Sequence, residues 1–281
     1  MIKIIALTAF ALAAFAFNSI LCRLALRTGE IDPASFTTIR LLSGTVLLIA
    51  ISYFVNRGSS STRRGNWISA FFLFAYAICF SFAYLGLTAG TGALVLFGSV
   101  QITMIGSSIF RGVWPYRSEW FGLIVAVCGL IYLVLPGLAA PPIFNAALMA
   151  VAGIAWGLYT LRGKGSTDPL ADTTGNFLRS VPMIVIAALP FLSGVRFSNR
   201  GILLAVLSGA VASAIGYTAW YSVLKHHTST RAAVLQLAVP LITAGLGSAF
   251  LSETLGARWL IAAVLILGGI ASMIIVKAKP A

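Results

Sequence analysis

Long apolar runs alternate with short polar segments along nearly the whole chain. Ten runs have about the 20 residues that an α-helix needs to cross the hydrocarbon core of a bilayer. They lie near residues 4–26, 33–55, 66–87, 90–110, 119–136, 144–161, 170–193, 200–223, 229–251 and 258–276. Because backbone polar groups in lipid must be paired within their own segment, each run is predicted to be a helix.

The composition agrees with this pattern. The 281 residues are 59% hydrophobic and 9% charged, which is more apolar surface than a soluble domain of this length could cover. We therefore predict an all-α, polytopic membrane protein with ten transmembrane helices and the lipid bilayer as its solvent. The net charge of +13 lies in short loops, so no nucleic-acid partner is expected. The three cysteines lack metal-ligand spacing, and neither a metal nor a cofactor is expected.

Positively charged residues predict the orientation. If the N-terminus is cytoplasmic, 12 Lys and Arg residues fall on the cytoplasmic side and five on the other. Cytoplasmic loops carry the excess of Lys and Arg in membrane proteins. Both termini are therefore predicted to be cytoplasmic.

The chain also contains an internal repeat. A shift of 139 residues aligns its two halves without a gap. The matches include Arg23 with Arg162, Arg40 with Arg179, Trp120 with Trp259, and Gly129 with Gly268. The halves, residues 1–139 and 140–281, would each hold five helices, and an odd number inserts the second half upside down. Inverted repeats of this kind are typical of carriers that work by alternating access.

The run STRAAVLQLAVPLITAGLGSAFLSETLGARWLIAAVLILGGI from Ser229 to Ile270, with its weaker copy in the first half, carries a resemblance. Together with the ten spans, it resembles the drug/metabolite transporter superfamily with paired EamA-type domains, and within it the exporters of aromatic amino acids. The resemblance implies a secondary transporter of a bacterial inner membrane, without enzymatic activity. The first half departs from the usual pattern, since Gln101 stands at the position of Pro240 and Trp114 at that of Glu253.

Two matching positions of this repeat are predicted to place hydrogen-bonding groups near mid-membrane, one by breaking the helix and one with a side-chain amide. Pro240 has no amide hydrogen, so the carbonyl of Gln236 is expected to lose its helical partner. Gln101 places a side-chain amide at the matching position of the first half. The pair predicts either a substrate path between the fourth and ninth spans or a packing kink with an interhelical hydrogen bond.

Aromatic residues with polar tips recur on helical faces, and Asn18 is the most polar residue of the first span. Such a lining would suit an amphipathic or aromatic solute, although ordinary helix packing would produce the same pattern. The predicted substrate-binding residues are Asn18, Tyr76, Phe80, Phe97, Gln101, Trp156, Tyr159, Tyr217 and Gln236.

Arg40 and Arg179 lie roughly two turns inside the second and seventh spans. They could snorkel or bond backbone carbonyls, or they could attract a substrate carboxylate or latch alternate gates. Neither is expected to be central, so the lining is expected to be largely uncharged. No Asp or Glu lies deep in a predicted span, which predicts gradient-driven transport with weak or no direct proton coupling.

The predicted function is a secondary transporter that exports amino acids, with aromatic amino acids as the favoured substrates, and related amphipathic metabolites. An efflux carrier for hydrophobic cationic drugs is the alternative, followed by an intramembrane enzyme. The enzyme lacks support because the sequence has no paired carboxylates, HExxH motif or evident Ser-His-Asp set. The sequence leaves the oligomeric state open, with a monomer among the candidates.

Overall fold

A computed structural model of the chain describes residues 2–55, 64–87, 89–134, 142–251 and 257–275. Within these residues every regular element is helical, and one isolated antiparallel bridge joins Ile31 to Phe197. The predicted all-α class is confirmed for this part of the chain.

The helices follow the predicted apolar runs closely. They are α1 (Ile2–Arg27), α2 (Pro33–Val55), α3 (Trp67–Ala83), α4 (Ala89–Phe110), α5 (Arg117–Val134), α6 (Ile143–Gly163), α7 (Pro169–Ala188), α8 (Asn199–Val206), α9 (Gly216–Leu224), α10 (Ser229–Leu235), α11 (Ala238–Leu251) and α12 (Ala257–Ile275). A 3-10 helix (Leu189–Gly194) extends α7, and a π-helical segment (Leu207–Ile215) joins α8 to α9 in one continuous rod. The seventh, eighth and ninth predicted spans are thus each built from more than one helical element.

Several of these helices can span a membrane by length and composition. They are Ile2–Arg27, Pro33–Val55, Ile143–Gly163, Pro169–Gly194, Asn199–Leu224 and Ser229–Phe250. Shorter apolar helices lie at Trp67–Ala83, Val95–Phe110 and Leu260–Ser272. The chain is a polytopic membrane protein, and the figure of ten crossings stays a prediction.

The helix ends gather in two polar layers. In the first, Asp32 caps α2 by accepting the backbone N–H of Ser35 at 2.9 Å, and it also accepts the backbone N–H of Arg196 at 3.0 Å. Glu30 accepts the hydroxyl of Ser198 and lies 3.7 Å from the guanidinium of Arg200. We call this layer the Asp32 face. It joins the α1–α2 loop to the segment between the 3-10 helix and α8.

The second layer lies at the opposite helix ends. Arg64 donates to Asp172 at 3.3 Å and to the hydroxyl of Thr167 at 2.6 Å. Arg162 donates to the side-chain oxygen of Asn66 at 3.1 Å. We call this layer the Arg64 face. It joins the chain before α3 to the end of α6 and the start of α7, so polar contacts connect the two halves at both ends of the bundle.

Between these layers, the described helices pack in a regular arrangement. The rod of α8 and α9 packs on α1, as does α11, while α3 and α4 pack on α6. Helix α2 packs on α7 and on the π-helical segment, and α5 packs on α12. Gly153 allows the close contact of α6 with α4, because a Cβ atom there would overlap the carbonyl oxygen of Leu96. The buried core therefore runs through α1, α3, α6 and α9.

Candidate substrate site

Aromatic rings from four helices meet in the middle of the bundle. They belong to Phe15 of α1, Tyr76 of α3, Trp156 of α6 and Tyr217 of α9, and we call them the central ring cluster. The ring centroid of Trp156 lies 5.1 Å from that of Phe15, 5.0 Å from that of Tyr76 and 4.7 Å from that of Tyr217. The edge-to-face and tilted geometries are those that aromatic pairs prefer. All four side chains are buried, so the cluster is closed in this conformation.

A second layer of rings surrounds this cluster. Phe80 lies 5.3 Å from Tyr76, and Tyr159 lies 5.7 Å from Trp156. Phe177 approaches Tyr217 at 6.1 Å. The predicted residues Tyr76, Phe80, Trp156, Tyr159 and Tyr217 are therefore brought together by the fold. Phe97, also predicted, is buried on α4, but none of the ring contacts within the described residues involves it.

Arg40 reaches into the same place. Its Nη2 donates to the hydroxyl of Tyr217 at 2.7 Å, and its Nε donates to the hydroxyl of Ser213 at 3.0 Å. Its Cζ atom lies 5.3 Å from the ring centroid of Tyr76 and 5.4 Å from that of Phe80, within the range of cation–π attraction. The side chain is fully buried. The expectation that Arg40 is not central is wrong, because this guanidinium turns inward instead of snorkelling.

The π-helical segment allows Arg40 to occupy this buried position. A Cβ atom at Gly209 would overlap the carbonyl oxygen of Arg40, so only glycine allows α2 and the rod to approach so closely there. The same segment supplies Ser213 to Arg40 and Ser208 to Asn18. Wide π turns inside α-helices are frequent at functional sites.

Asn18 connects three elements of the site. Its Nδ2 donates to the hydroxyl of Tyr76 at 3.3 Å, and its Oδ1 accepts the hydroxyl of Ser208. The amide thus bridges α1, α3 and the π-helical segment. A buried amide needs such partners, and here they fix the orientation of the Tyr76 ring.

The polar pair around Pro240 also bonds within the protein. Gln236 accepts the indole N–H of Trp156 at 2.6 Å and lies in a two-residue break between α10 and α11. The expectation of a free Gln236 carbonyl is wrong, because that oxygen accepts the backbone N–H of Val239 at 3.0 Å. Pro240 lies inside α11, and the helix is interrupted four residues earlier.

Gln101 bridges the fourth and ninth predicted spans. Its Nε2 donates to the carbonyl oxygen of Ala233 at 2.7 Å, while its Oε1 is buried without a hydrogen-bond partner among the described residues. The Nε2 of Gln236 lies 3.5 Å from the sulfur of Met104. In this conformation α4 and α10 are held together, which corresponds to the predicted kink with an interhelical hydrogen bond.

Arg179 behaves differently from its repeat partner Arg40. It is half-buried, and its Nη1 donates to the carbonyl oxygens of Arg64 at 2.8 Å and Gly175 at 2.9 Å. Carbonyl bonding, one of the roles predicted for Arg179, describes these contacts. Its place is on the Arg64 face and not in the central ring cluster.

Sequence reasoning missed Phe15, Ser208 and Ser213. Phe15 stands in a uniformly apolar run, where nothing separates a site residue from a packing residue. Ser208 and Ser213 are five residues apart, which in a regular α-helix places them about 140° from each other. The π-helical geometry that makes both useful was not predicted from the sequence.

Comparisons with known proteins agree with this architecture. The chain matches the EamA-like transporter family at residues 2–135 and again at 143–275. It is 45% identical to an uncharacterized protein of Pseudomonas aeruginosa over 94% of this chain and 92% of that one. It is also 28% identical to an uncharacterized transporter of Archaeoglobus fulgidus over 70% of this chain and 73% of that one.

A solved structure has the same fold. A protein crystal structure superposes with a TM-score of 0.79 at 19% identity, covering 98% of this chain and 99% of that one. The family match extends over both halves of the chain and includes the residues of the central ring cluster. The chain therefore belongs to the EamA-like transporter family of the drug/metabolite transporter superfamily, and it is a membrane transporter built from two EamA repeats.

Proposed function

We propose that the protein is a secondary carrier that works by alternating access between two inverted repeats, residues 1–139 and 140–281. The packing supports this division. Helix α3 packs on α6, and its counterpart by the shift of 139, the rod of α8 and α9, packs on α1. Likewise, α4 packs on α6, and its counterpart α11 packs on α1. These contacts between the two halves thus come in mirrored pairs, as a pseudo-two-fold axis requires.

The central ring cluster is the substrate site of this carrier. The observation that carries the proposal is that both halves supply it, Phe15 and Tyr76 from the first and Trp156 and Tyr217 from the second. A site at the repeat interface is exposed to alternate sides when the repeats rock against each other. Its rings suit an amino acid with an aromatic side chain or a related amphipathic metabolite, in line with the resemblance to the aromatic amino acid exporter YddG.

The two polar faces act as gates. On the Arg64 face, Arg64 pairs with Asp172, and on the Asp32 face, Glu30 pairs with Arg200. Each pair joins a loop of the first half to a segment of the second. Exposed pairs of this kind contribute little to stability, on the order of 0–1 kcal/mol. They can therefore open and close at a small free-energy cost, as alternating gates require.

We place the protein in a bacterial inner membrane with the Arg64 face in the cytoplasm. The described cations of that face are Lys3, Arg64, Arg111, Arg117, Arg162, Lys164, Arg179, Lys225 and Arg231, against Arg23, Arg27, Arg196 and Arg200 on the Asp32 face. This excess is that of cytoplasmic loops. Both termini would then be cytoplasmic, and fusion of a cytoplasm-active reporter to either end is expected to give signal. A signal at one end only would refute the orientation.

Counterflow in proteoliposomes tests the carrier. Vesicles preloaded with unlabelled phenylalanine are expected to accumulate labelled phenylalanine transiently, with saturation and with chemically unchanged label. Trp156→Ala is expected to raise the half-saturating concentration at least tenfold, because it removes the central ring. Trp67→Ala is the matched control, since Trp67 is 58% exposed on α3. Non-saturable flux without trans-stimulation would indicate a channel, and altered label would indicate an enzyme.

Transport is proposed to be gradient-driven with weak or no direct proton coupling. The described acidic residues, Glu30, Asp32, Glu119, Asp168 and Asp172, lie in loops or at helix ends, and Glu253 is outside the described residues. Proton relays through a membrane usually need a carboxylate or histidine within it. An imposed proton gradient is expected not to drive uphill uptake, and uphill uptake on that gradient alone would contradict the proposal.

A further inference from the structure

Arg40 is a buried cation without a buried acid beside it. Its side chain is fully buried, yet its partners among the described residues are uncharged: the hydroxyls of Ser213 and Tyr217, the nearby hydroxyl of Tyr76, and the rings of Tyr76 and Phe80. Each described acidic residue lies on the Asp32 face or the Arg64 face instead. Buried charges in proteins are almost always paired, so a lone guanidinium in the core requires an explanation.

Part of this guanidinium also lacks a hydrogen bond. Nε and Nη2 have partners, but Nη1 is buried with no hydrogen-bond partner within the described part of the chain. A guanidinium offers its donors as a rigid fork that matches a carboxylate in two parallel bonds. The Cζ atom lies over the rings of Tyr76 and Phe80, and the open Nη1 donor leaves this guanidinium with unused capacity for an anion.

We propose that the central site selects aromatic monocarboxylate anions, with the guanidinium of Arg40 binding the carboxylate and the central ring cluster holding the ring. This inference rests on the proposed carrier function and names the substrate class of that same site. It makes the head group of the cargo as important as its aromatic body. The missing counter-charge arrives with the substrate.

The same balance of charge ranks three head groups. A carboxylate without an amine neutralises Arg40 and brings no second charge. A zwitterionic amino acid also brings an ammonium group, and the described cluster has no carboxylate to receive it. An amine alone brings a like charge to the guanidinium and neutralises nothing, and like charges in a desolvated site repel strongly. The expected order of affinity is carboxylate, then amino acid, then amine.

The Arg64 face supports an anionic cargo as well. Two cavities there, of about 330 Å³ and 540 Å³, are both lined by Arg111, Leu161 and Lys164, and Arg162 lines the larger one. Burial, then the nearby charge of Arg111, lower the pKa of Lys164, while Glu119 acts in the opposite direction. Cations around a cleft attract anionic solutes and repel cationic ones.

Three ligands with the same phenyl ring test the head group. They are 3-phenylpropanoate, phenylalanine and phenethylamine, offered to the purified full-length protein in detergent, with thermal stabilisation as the measure of binding. The two carboxylates are expected to stabilise the protein, 3-phenylpropanoate at the lowest concentration, and phenethylamine is expected to have no effect. Arg40→Met is expected to weaken 3-phenylpropanoate binding about tenfold to a hundredfold, the effect of losing a hydrogen bond to a charged group.

Two further variants keep the test decisive. Arg40→Lys keeps the charge without the fork and is expected to retain the preference for carboxylate over amine with weaker binding, even if Arg40→Met does not fold. Arg179→Met is the matched control, since it removes the equivalent arginine of the other half and is expected to keep the full preference. Equal binding of phenethylamine and 3-phenylpropanoate, no binding of either carboxylate, or unchanged carboxylate binding by Arg40→Met would each overturn the inference.

Binding and transport separate the two proposals. Carboxylate binding that depends on Arg40, without counterflow in proteoliposomes, supports the anion site and refutes the carrier. Saturable counterflow that phenethylamine inhibits as strongly as 3-phenylpropanoate does would support the carrier and refute the anion site.

Discussion

The contact between Arg40 and Tyr217 gives a prediction about stability that needs no substrate. Tyr217→Phe removes the hydroxyl that accepts from Nη2 at 2.7 Å and adds no volume. Nη2 would then join Nη1 as a second buried donor without a partner. Losing a hydrogen bond to a charged group costs about 1.5–3 kcal/mol. We expect Tyr217→Phe to lower the free energy of unfolding by that amount.

Arg40→Met is expected to have a smaller effect, although it removes more contacts. Two charged hydrogen bonds and two ring contacts contribute on the order of 4–10 kcal/mol together. Removing the guanidinium also recovers its desolvation penalty, which is several kcal/mol for a buried ion. The two terms nearly offset each other. Replacing buried ions by apolar residues of similar size is often neutral or stabilising for the same reason.

The double variant Arg40→Met/Tyr217→Phe tests this prediction. Once Arg40 is Met, the hydroxyl of Tyr217 no longer accepts a hydrogen bond from a charged group, so Tyr217→Phe is expected to lower the free energy of unfolding only slightly in that background. The coupling between the two positions is therefore expected to be about 1.5–3 kcal/mol. At roughly 2–4 °C per kcal/mol, Tyr217→Phe alone would lower the melting temperature by about 3–12 °C.

Cys22 provides the assay. Its thiol is fully buried on α1, whereas Cys79 is partly buried and Cys128 is exposed. With Cys79→Ala and Cys128→Ser as the background, a thiol-reactive dye reports only the opening of the core at Cys22. A coupling below about 0.5 kcal/mol, within the usual error of additivity, would refute the described bond between Arg40 and Tyr217.

Three other predictions concern the packing and the gates. Gly209→Ala is expected to destabilise the protein by about 1–3 kcal/mol through overpacking against α2, while Gly98→Ala, where a Cβ atom meets no neighbour within 4 Å, is expected to be neutral or stabilising in the same thermal assay. Burial raises the pKa of Asp32, but the backbone N–H groups that its carboxylate accepts, on the Asp32 face and at the start of α2, outweigh burial and hold that pKa below its usual value. Its contribution to the free energy of unfolding is therefore present above about pH 4 and lost as the pH falls further. Asp32→Asn is expected to abolish this acid-dependent loss, and an unchanged pH profile of the melting temperature would contradict the prediction. In a cysteine-free background, a short bifunctional maleimide that links Arg64→Cys to Thr167→Cys is expected to stop counterflow. Either single cysteine variant, treated with the same reagent, is expected to retain counterflow. Full counterflow in the linked protein would contradict the proposal that the Arg64 face is a gate.

The helices were predictable because lipid leaves few alternatives. A run such as 33–55 must be helical in a bilayer, and the structure has α2 at Pro33–Val55. The aromatic residues were predictable as a group for a related reason. Tyr76, Trp156 and Tyr217 carry polar tips in otherwise apolar spans, and each tip needs a partner that only the protein interior supplies.

The position of Arg40 could not be predicted, because periodicity gives the depth of a residue and not the direction of its side chain. At about two turns from the helix end, snorkelling and inward burial are both within reach of a long side chain. Gly209 and the π-helical turn around it decide between them by bringing the rod close to α2. The pattern of apolar residues does not predict a π turn. A π turn only shifts the phase of the helix, and this helix is apolar on most sides.

In the proposed carrier, this one side chain would also distinguish between the candidate cargoes. A cationic drug in the central ring cluster would bring its charge to within about 5 Å of the guanidinium, where Coulomb repulsion at an effective dielectric constant of about 20 is about 3 kcal/mol. That amounts to a penalty of more than a hundredfold in affinity, which ring stacking at about 0.5–1.5 kcal/mol per pair does not recover. The same Coulomb term changes sign for a carboxylate. In the proposed carrier, the aromatic rings would therefore select the body of the cargo, and Arg40 would select its charge.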